Sequence, residues 1–485
     1  RFRQGEACMP KDLSGFISRI CAEFPDQVVS VRRPVRAAEY EVTAILQHLD
    51  DAGQFPMVLF ERPINMLGQE VPEFPIVSNI YGTRERCALA LDLPITQSKL
   101  ELSLEYARRE RQTIPPQVIP AQDAPVKQVV RTGADIDIRQ LPIVKHFEAD
   151  LSPVITMAAV MKDPDTGVYD VSFIKQFPKG PTRAGVSIHS PHLERILAKY
   201  EKRGQPAPYV QIIGHHPAFY LGALALTLYD SDDYHTIGSF LGEPLRLCPS
   251  ETWGHEFLVP ADAEILIEGE IPPGERTVVD PFGEVTRLYQ AQCLRPVLNI
   301  TAVTHRRQAW YQNIFSGHRG HWNLGAIPKE GSVYNALQRR FGNIKAVHLP
   351  YSGCGRLACY ISIEKTREGQ GKEVAIAALP ESWTFELIVV VDADIDVFKE
   401  EDVLWAMLTY MDPRRDLDII HGYPISVFTS AFQDTRILID ATRPLHVAFP
   451  EKFRMPPEVM QRIKLEEWIE QGGFITKPRT PAAQP

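Results

Sequence analysis

The 485-residue chain has no hydrophobic run approaching the roughly 20 residues that a membrane span needs. The longest candidate, Phe219–Tyr229, is bounded by Pro217 and Asp230, so no membrane partner is expected. No signal-peptide pattern opens the chain, and it begins without Met, as a trimmed or processed chain would. Cysteine is sparse. The seven are scattered, Cys354 and Cys359 form the one close pair, and no second pair completes a zinc site. Free thiols in a reducing cytoplasm are the simplest account. Positive charge is short as well, with 52 Lys and Arg against 61 Asp and Glu. That balance argues against nucleic acid as a partner, while leaving room for a local basic site that takes a phosphorylated cofactor. Internal repeats are absent.

The composition, 44% hydrophobic and 23% charged, is that of a folded protein, and the length predicts two or three domains. Residues 10–50 read as helical, with apolar residues at helical spacing and a Gly stop after AAEYEVTAILQHLDDAG. PMVLFER and FPIVSNIYG then read as strands and RERCALALDLP as a short helix, an α/β alternation. A proline-rich stretch near 115 marks a change of texture. From 128 to about 315 short strands dominate, interrupted by one strong helical tract, PAFYLGALALTLY, so an antiparallel sheet or barrel is expected. His215 and His216 on a strand would point to opposite faces, one buried and one exposed. Beyond 316 helices and strands alternate again, with a helix near SVYNALQRRFG. FELIVVVDADID there reads as a buried parallel strand and VLWAMLTYM as the helix after it. A last helix, PEVMQRIKLEEWIEQGG, precedes a proline-rich tail.

The stretch Asp163–Glu194 concentrates the chemistry. DPDTG reads as a turn between ITMAAVMK and VYDVSFIKQF, which makes a hairpin. Asp170, Ser172 and Ile174 share one face of its second strand, and Val171, Phe173 and Lys175 the other. A strand AGVSI then feeds a helix with Ser190 as N-cap, Pro191 at the first position and His192 in the first turn. Free N–H groups there form an anion site, and a divalent cation would tie Asp170 and His192 to that anion. On local spacing alone, a polar strand, an ordinary cap and an exposed histidine account for the same residues. DPFGE sets Asp280 and Glu284 close enough to share a proton-handling site, although surface acids in turns are far commoner. SGHRGHW gathers His318, Arg319 and His321 in a loop suited to an anionic substrate or, equally, to plain solvent exposure.

Taken in order, these pieces resemble the UbiD-type decarboxylases, which use prenylated FMN. PEFPIVSNIYGTRERCALALDLP is similar to the family's N-terminal block, the 136–177 segment to its hairpin, and ADAEILIEGEIPPGE with DPFGE to its proton-transfer segment. VDADIDVFKEEDVLWAMLTYMDPRRDL is similar to its C-terminal signature. The resemblance implies an α/β multidomain (α+β) fold. Its parts would be an N-terminal α/β segment (1–115), a split β-barrel flavin domain (116–315) and a C-terminal α/β oligomerisation domain (316–485). It implies reversible decarboxylation of an aromatic or α,β-unsaturated carboxylic acid, with a flavin prenyltransferase supplying the cofactor and a homodimer or homohexamer as the assembly. Asp170, Val171, Ser172, Phe173, Lys175, His192 and Arg246 fall on flavin-site positions, Asp170 and His192 on Mn²⁺ ligands (with K⁺ as a further cation), and Glu284, Lys175 and Asp280 on catalytic ones. Three positions depart from the family pattern. Arg246 stands where a third metal ligand, a Glu, falls best, Lys175 where an Arg is expected, and Val279 where the first of two Glu is expected. These departures leave open an accessory UbiD-fold subunit, or a member with an altered ligand site.

Overall fold

The computed structural model describes residues 11–279, 281–424, 434–450 and 452–468. Three sheets organise them. The first joins β1 (Val28–Val31), β2 (Met57–Phe60) and β3 (Ile76–Ser78), closed by the later strand Tyr311–Asn313. β1 runs parallel to β2, β2 antiparallel to β3, and Tyr311 pairs in parallel with Ile76. The expected N-terminal helices form at Leu13–Glu23, Glu41–Asp51 and Arg84–Ala90, followed by α1 (Leu100–Glu110).

The central sheet has nine strands. Its main path uses β4 (Ala158–Lys162), β5 (Tyr169–Phe173), β6 (Lys175–Pro178), β7 (Arg183–Ser187), β8 (Ala207–Ile213), β9 (Ile265–Ile271) and β10 (Cys293–His305). In space the order is β6-β7-β10-β9-β8-β4-β5, antiparallel throughout. The two ends of that path, β5 and β6, are separated in the chain by Ile174 alone. A sheet whose opposite edges are joined by one residue has to roll up. The seam is stitched by Ile155 and Gln176, which exchange N–H···O bonds of 3.0 and 3.1 Å, and by Ile174 N–H to Met157 O at 3.1 Å. The hairpin is as expected, with Lys162 opposite Tyr169 and Gly167 at φ 78° in the turn.

Between these strands come α2 (Pro191–Lys202) and α3 (Asp233–Leu241). PAFYLGALALTLY is helical only over Pro217–Gly222. Its second half turns out of the helix through tight Leu224 N–H→Leu221 O and Ala225 N–H→Gly222 O bonds, which carries Leu224, Thr227 and Tyr229 toward the site described below. His215 and His216 are both buried rather than split between core and solvent, because they lie beyond the end of β8, with His216 capping Pro217–Gly222.

α4 (Arg319–Phe341) is longer than its sequence suggests. It begins inside SGHRGHW and runs through Pro328. The glycines that read as breakers are points of close approach: a Cβ on Gly331 would come within 2.7 Å of Tyr106 on α1. The third sheet holds β11 (Ile344–His348), β12 (Ala358–Ile363), β13 (Leu387–Asp392), β14 (Leu417–Ile420) and β15 (Arg436–Ala441), in the order β11-β12-β13-β15-β14. β13 lies between two parallel neighbours, as its continuous apolar run predicts. α5 (Gln370–Ala378) packs on one apolar cluster of this sheet and α6 (Glu400–Tyr410) on another. The expected last helix is broken into Pro457–Arg462 and Leu465–Trp468. Among the described residues no helix is long and apolar enough to cross a membrane.

Glu330 on α4 ties the sequence-distant parts together. It is fully buried and accepts from Arg84 (2.8 and 3.1 Å), Ser103 Oγ (2.6 Å) and Leu349 N–H (3.1 Å), with His348 Nδ1 at 2.8 Å. Burial alone would raise its pKa, but the charge of Arg84 and the hydrogen bonds from His348 and Arg84 override that and hold it well below the usual carboxylate range. Glu330→Gln leaves Arg84 buried without its counter-charge, so unfolding free energy should fall by about 3–5 kcal/mol at neutral pH. A depressed carboxylate contributes stability above its unfolded pKa, about 4.3, that is lost as pH falls through the folded value. The difference between Glu330→Gln and wild-type melting temperatures should therefore shrink below about pH 4 in a calorimetric series.

Candidate active site

Two groups of side chains occur at the rolled corner. The first forms where β5 meets α2. Ser190 Oγ accepts from Leu193 N–H and Pro191 starts the helix, as expected. His192 in the first turn thereby lies with Nδ1 2.9 Å from Asp170 Oδ2. Ser172 donates to the other Asp170 oxygen at 3.3 Å. The hydrogen bond to Asp170 raises the pKa of His192 against the opposing effect of burial. Tyr229 packs edge-on against the imidazole at 5.2 Å.

A third acid, Asp233 at the start of α3, belongs to this group and was not anticipated. It accepts from Val171 N–H at 2.8 Å and Thr227 Oγ1 at 3.0 Å, while its neighbour Asp232 accepts from Tyr169 N–H at 3.1 Å. Together these acids satisfy alternate N–H groups on the free edge of β5. Burial, and then the charge of Asp170, push the Asp233 carboxyl well above its ordinary pKa. Two carboxylates that disfavour each other's charge, beside an imidazole, are a donor set that a hard cation would relieve. Still, among the described residues no three His, Cys, Asp or Glu side chains converge closely enough to hold a metal by themselves. The consecutive acids at a helix start were the available sequence signal for Asp233. Arg246, the residue expected at this position, is placed elsewhere: it lies on Arg246–Ser250 in a two-pronged ion pair with Asp262. Among the described residues it makes no hydrogen bond or ion pair to Asp170 or His192. The nearby Glu243 is also engaged elsewhere, accepting from Lys11 N–H.

The second group lines a cavity of about 170 Å³ on the β6 side of the corner. Phe173, Lys175 and Glu284 all face it. Lys175 Nζ is ion-paired with Glu284 Oε1 and lies 5.0 Å from the centre of the Phe282 ring. Both charged side chains are largely withdrawn from solvent, Glu284 at 4% exposure and Lys175 at 15%. Val279 is buried with Val154, Phe177 and Phe282 in a small apolar cluster, so an aliphatic side chain there is built into the packing. Asp280 lies outside the described residues, as does much of the 420–435 region expected to line the pocket. Val171 contributes its backbone N–H to Asp233 while its side chain joins the core.

Of the expected histidines, His321 lines the cavity, and burial followed by the charges of Arg356 and Lys175 drives its pKa well below normal. His318 does not line it; it stacks on Phe315 at 3.6 Å and lies 2.9 Å from Gln47 Oε1. His189, Ser187 and Arg356 also line the cavity and were not anticipated. His189 Nε2 sits 3.1 Å from both Ser187 Oγ and Gln290 Nε2, and burial pushes its pKa down to about 4.

Comparison with known proteins agrees with this architecture. Three domain families match in order along the chain: the 3-octaprenyl-4-hydroxybenzoate carboxy-lyase N-terminal domain over residues 22–103, its Rift-related domain over 117–319 and its C-terminal domain over 322–441. Anhydromevalonate phosphate decarboxylase from Methanothermobacter thermautotrophicus is 31% identical over 387 residues, covering 79% of this chain and 88% of that protein. An evolved dimeric form of the UbiD-class enzyme HmfF from Pelotomaculum thermopropionicum, solved in complex with prFMN, is 33% identical. It superposes with a TM-score of 0.84 over 94% of this chain and all of that one. Vanillic acid decarboxylase from Sedimentibacter hydroxybenzoicus, in a closed form, is 27% identical with a TM-score of 0.82, covering 96% of this chain and 100% of that one. The mixed α/β fold with its curled central sheet is shared, relatives of this likeness are decarboxylases, and the chain belongs to the UbiD family of carboxy-lyases.

Proposed function

We propose that this chain decarboxylates an aromatic or α,β-unsaturated carboxylic acid with prenylated FMN. The observation that carries the reading is the buried Lys175–Glu284 pair in a largely apolar cavity, one strand corner away from the Asp170–His192 pair. The phosphate end of the flavin would lie at the first turn of α2, where the positive end of the helix dipole favours an anion. Mn²⁺, with K⁺ as a possible companion, would join Asp170, His192 and Asp233 once the phosphate supplies further oxygen ligands. The fit rests on the donor types gathered there, the carboxylates of Asp170 and Asp233 and the imidazole of His192 beside Asp170. When bound, the modified ring supplies an electron sink for the pair left behind by CO₂.

The residues of the chain do the rest. Phe173, Ile174 and Phe282 give the cavity apolar walls. Lys175 Nζ would exchange Glu284 for the incoming carboxylate and orient it. Lysine does this as a point charge, without the paired donors of a guanidinium. Glu284, released from its counter-ion in a desolvated site, would gain affinity for a proton at Oε1 and deliver it to the carbon that CO₂ leaves. With Val279 in the apolar packing, Glu284 has no carboxylate partner from that position.

We further propose a homo-oligomer, dimer or hexamer, in the cytoplasm, with a flavin prenyltransferase as cofactor supplier. Leu404, Trp405 and Leu408 on α6 are exposed, Leu408 at 84%, and form an apolar face suited to a second copy.

Expression beside a flavin prenyltransferase and a scan of aromatic and enoic acids for CO₂ release tests the function. No release from any acid by flavin-loaded protein removes it. In active protein, Glu284→Gln should lower kcat by about 10²–10⁴-fold while the flavin spectrum persists. Asp233→Asn should do the reverse, lowering flavin and Mn²⁺ per chain as measured by absorbance and metal analysis. Equal loading of Asp233→Asn and wild type would sink the three-residue assignment.

A further inference from the structure

The cavity holds an imbalance of charge. Among the described residues Glu284 is the one carboxylate lining it, and Lys175 takes it. Arg356 lines the same cavity. It follows Gly355, a residue at φ 61°, in the turn before β12, and its guanidinium lies against α4 where Gly325 has no side chain. A Cβ on Gly325 would overlap the guanidinium itself. Among the described residues the guanidinium makes one hydrogen bond, from Nη1 to Gly355 O at 3.1 Å, and no carboxylate lies within ion-pair reach. Five N–H donors with one acceptor leave most of the fork unsatisfied. Its partial exposure faces the cavity that it lines, and burial pushes its pKa down to about 10.

The surroundings add positive charge. His321, Gly325 and Lys329 follow at four-residue spacing on α4, so they share one helix face. Burial and then the charge of Arg356 push the Lys329 pKa down to about 7, and among the described residues no acid pairs with it. Leaving charges desolvated and uncompensated is costly, and such an arrangement persists where an anion completes it.

We propose that Arg356 binds a second oxyanion of the substrate. The acid decarboxylated would then carry, besides the carboxylate it loses, a further carboxylate or a phosphate ester. This inference rests on the decarboxylase reading and names its substrate class. A planar guanidinium fork matches either oxyanion in a bidentate manner, and the cavity joins it to Lys175 and Glu284.

The test uses full-length, flavin-loaded protein and matched acids: sorbate against trans,trans-muconate, in which a carboxylate replaces the terminal methyl, and 5-hydroxypent-2-enoate against its phosphate ester. The dianionic member of at least one pair should be preferred in kcat/KM by about tenfold or more. The pair showing the preference tells carboxylate from phosphate. Arg356→Met should abolish the preference, chiefly through KM. Gly325→Ala, which displaces the guanidinium without removing its charge, should do the same. As a readout apart from turnover, the preferred dianion should raise the melting temperature of wild type and not of Arg356→Met. Without ligand, Arg356→Met should melt no lower than wild type, because it removes an unpaired charge. A lower unliganded melting temperature with unchanged discrimination would mark Arg356 as structural and overturn the proposal. So would release of CO₂ with no preference for either dianion. If no acid of any kind reacts but the Arg356-dependent thermal shift persists, the decarboxylase reading fails and the oxyanion subsite stands.

Discussion

The site depends on one constraint of chain geometry: β5 and β6 lie at opposite ends of the sheet path and are joined by Ile174. A flat sheet of this order would leave those ends far apart. Rolling brings them to a common corner, where Ile155 and Gln176 seal the seam. Asp170 therefore points to one compartment and Lys175, five positions on, to another, without a loop between them. Both side chains sit on strands held by neighbours on the sheet, so the separation between the Asp170–His192 pair and the Lys175–Glu284 pair is fixed by backbone pairing rather than by flexible reach. Asp232 and Asp233 complete the device by capping the N–H groups of Tyr169 and Val171, which would otherwise stand open on the edge of β5.

Charge is distributed around that corner according to burial. Exposed pairs such as Arg32–Glu61 contribute little, about 0–1 kcal/mol each. The buried ones matter for what happens when they are broken. Arg84–Glu330 is satisfied on every side and holds the N-terminal segment, α4 and β11 in register. Lys175–Glu284 is buried nearly as deeply, and it faces a cavity from which another carboxylate can approach it. Among the described residues Arg356 and Lys329 have no acid partner. The same desolvation thus gives three outcomes, a lock, an exchangeable pair and an unfilled demand for an anion, and they differ only in how many partners the fold supplies.

What the sequence disclosed follows the range of the interactions involved. The 158–173 hairpin, the Ser190–Pro191 cap and the apolar run of β13 are local, and turn chemistry or periodicity reveals them. The meeting of His192 with Asp170 was legible because both belong to one hairpin-to-helix unit. Asp233 was missed since its role depends on α3 packing against the edge of β5, a contact across 62 positions. Arg246 was misread for the matching reason: its strand pairs toward Asp262, which no local pattern announces. α4 was cut short because Gly320, Gly325, Gly331 and Pro328 look like breakers in sequence, whereas in the fold the glycines admit Tyr106 and Arg356 against the helix. The second half of the 217–229 tract was read as helix from its hydrophobicity, although its residues are spent on Leu224 in the cavity wall and Tyr229 beside His192.

The two substitutions beside the reacting centre, Lys175 for an expected Arg and Val279 for an expected Glu, are consistent with one another. A guanidinium fork can hold two carboxylates at once, whereas an ammonium serves best as a point charge for one. With Val279 filling an apolar cluster beside Phe177 and Phe282, a second carboxylate from that position is absent and the fork has one fewer partner to hold. Lysine pairs there with Glu284. Arginine there, without the missing acid, would add unsatisfied donors to a cavity that already contains Arg356. In this chain the guanidinium that lines the cavity is that of Arg356 on the α4 wall, while the end at Glu284 carries the ammonium of Lys175.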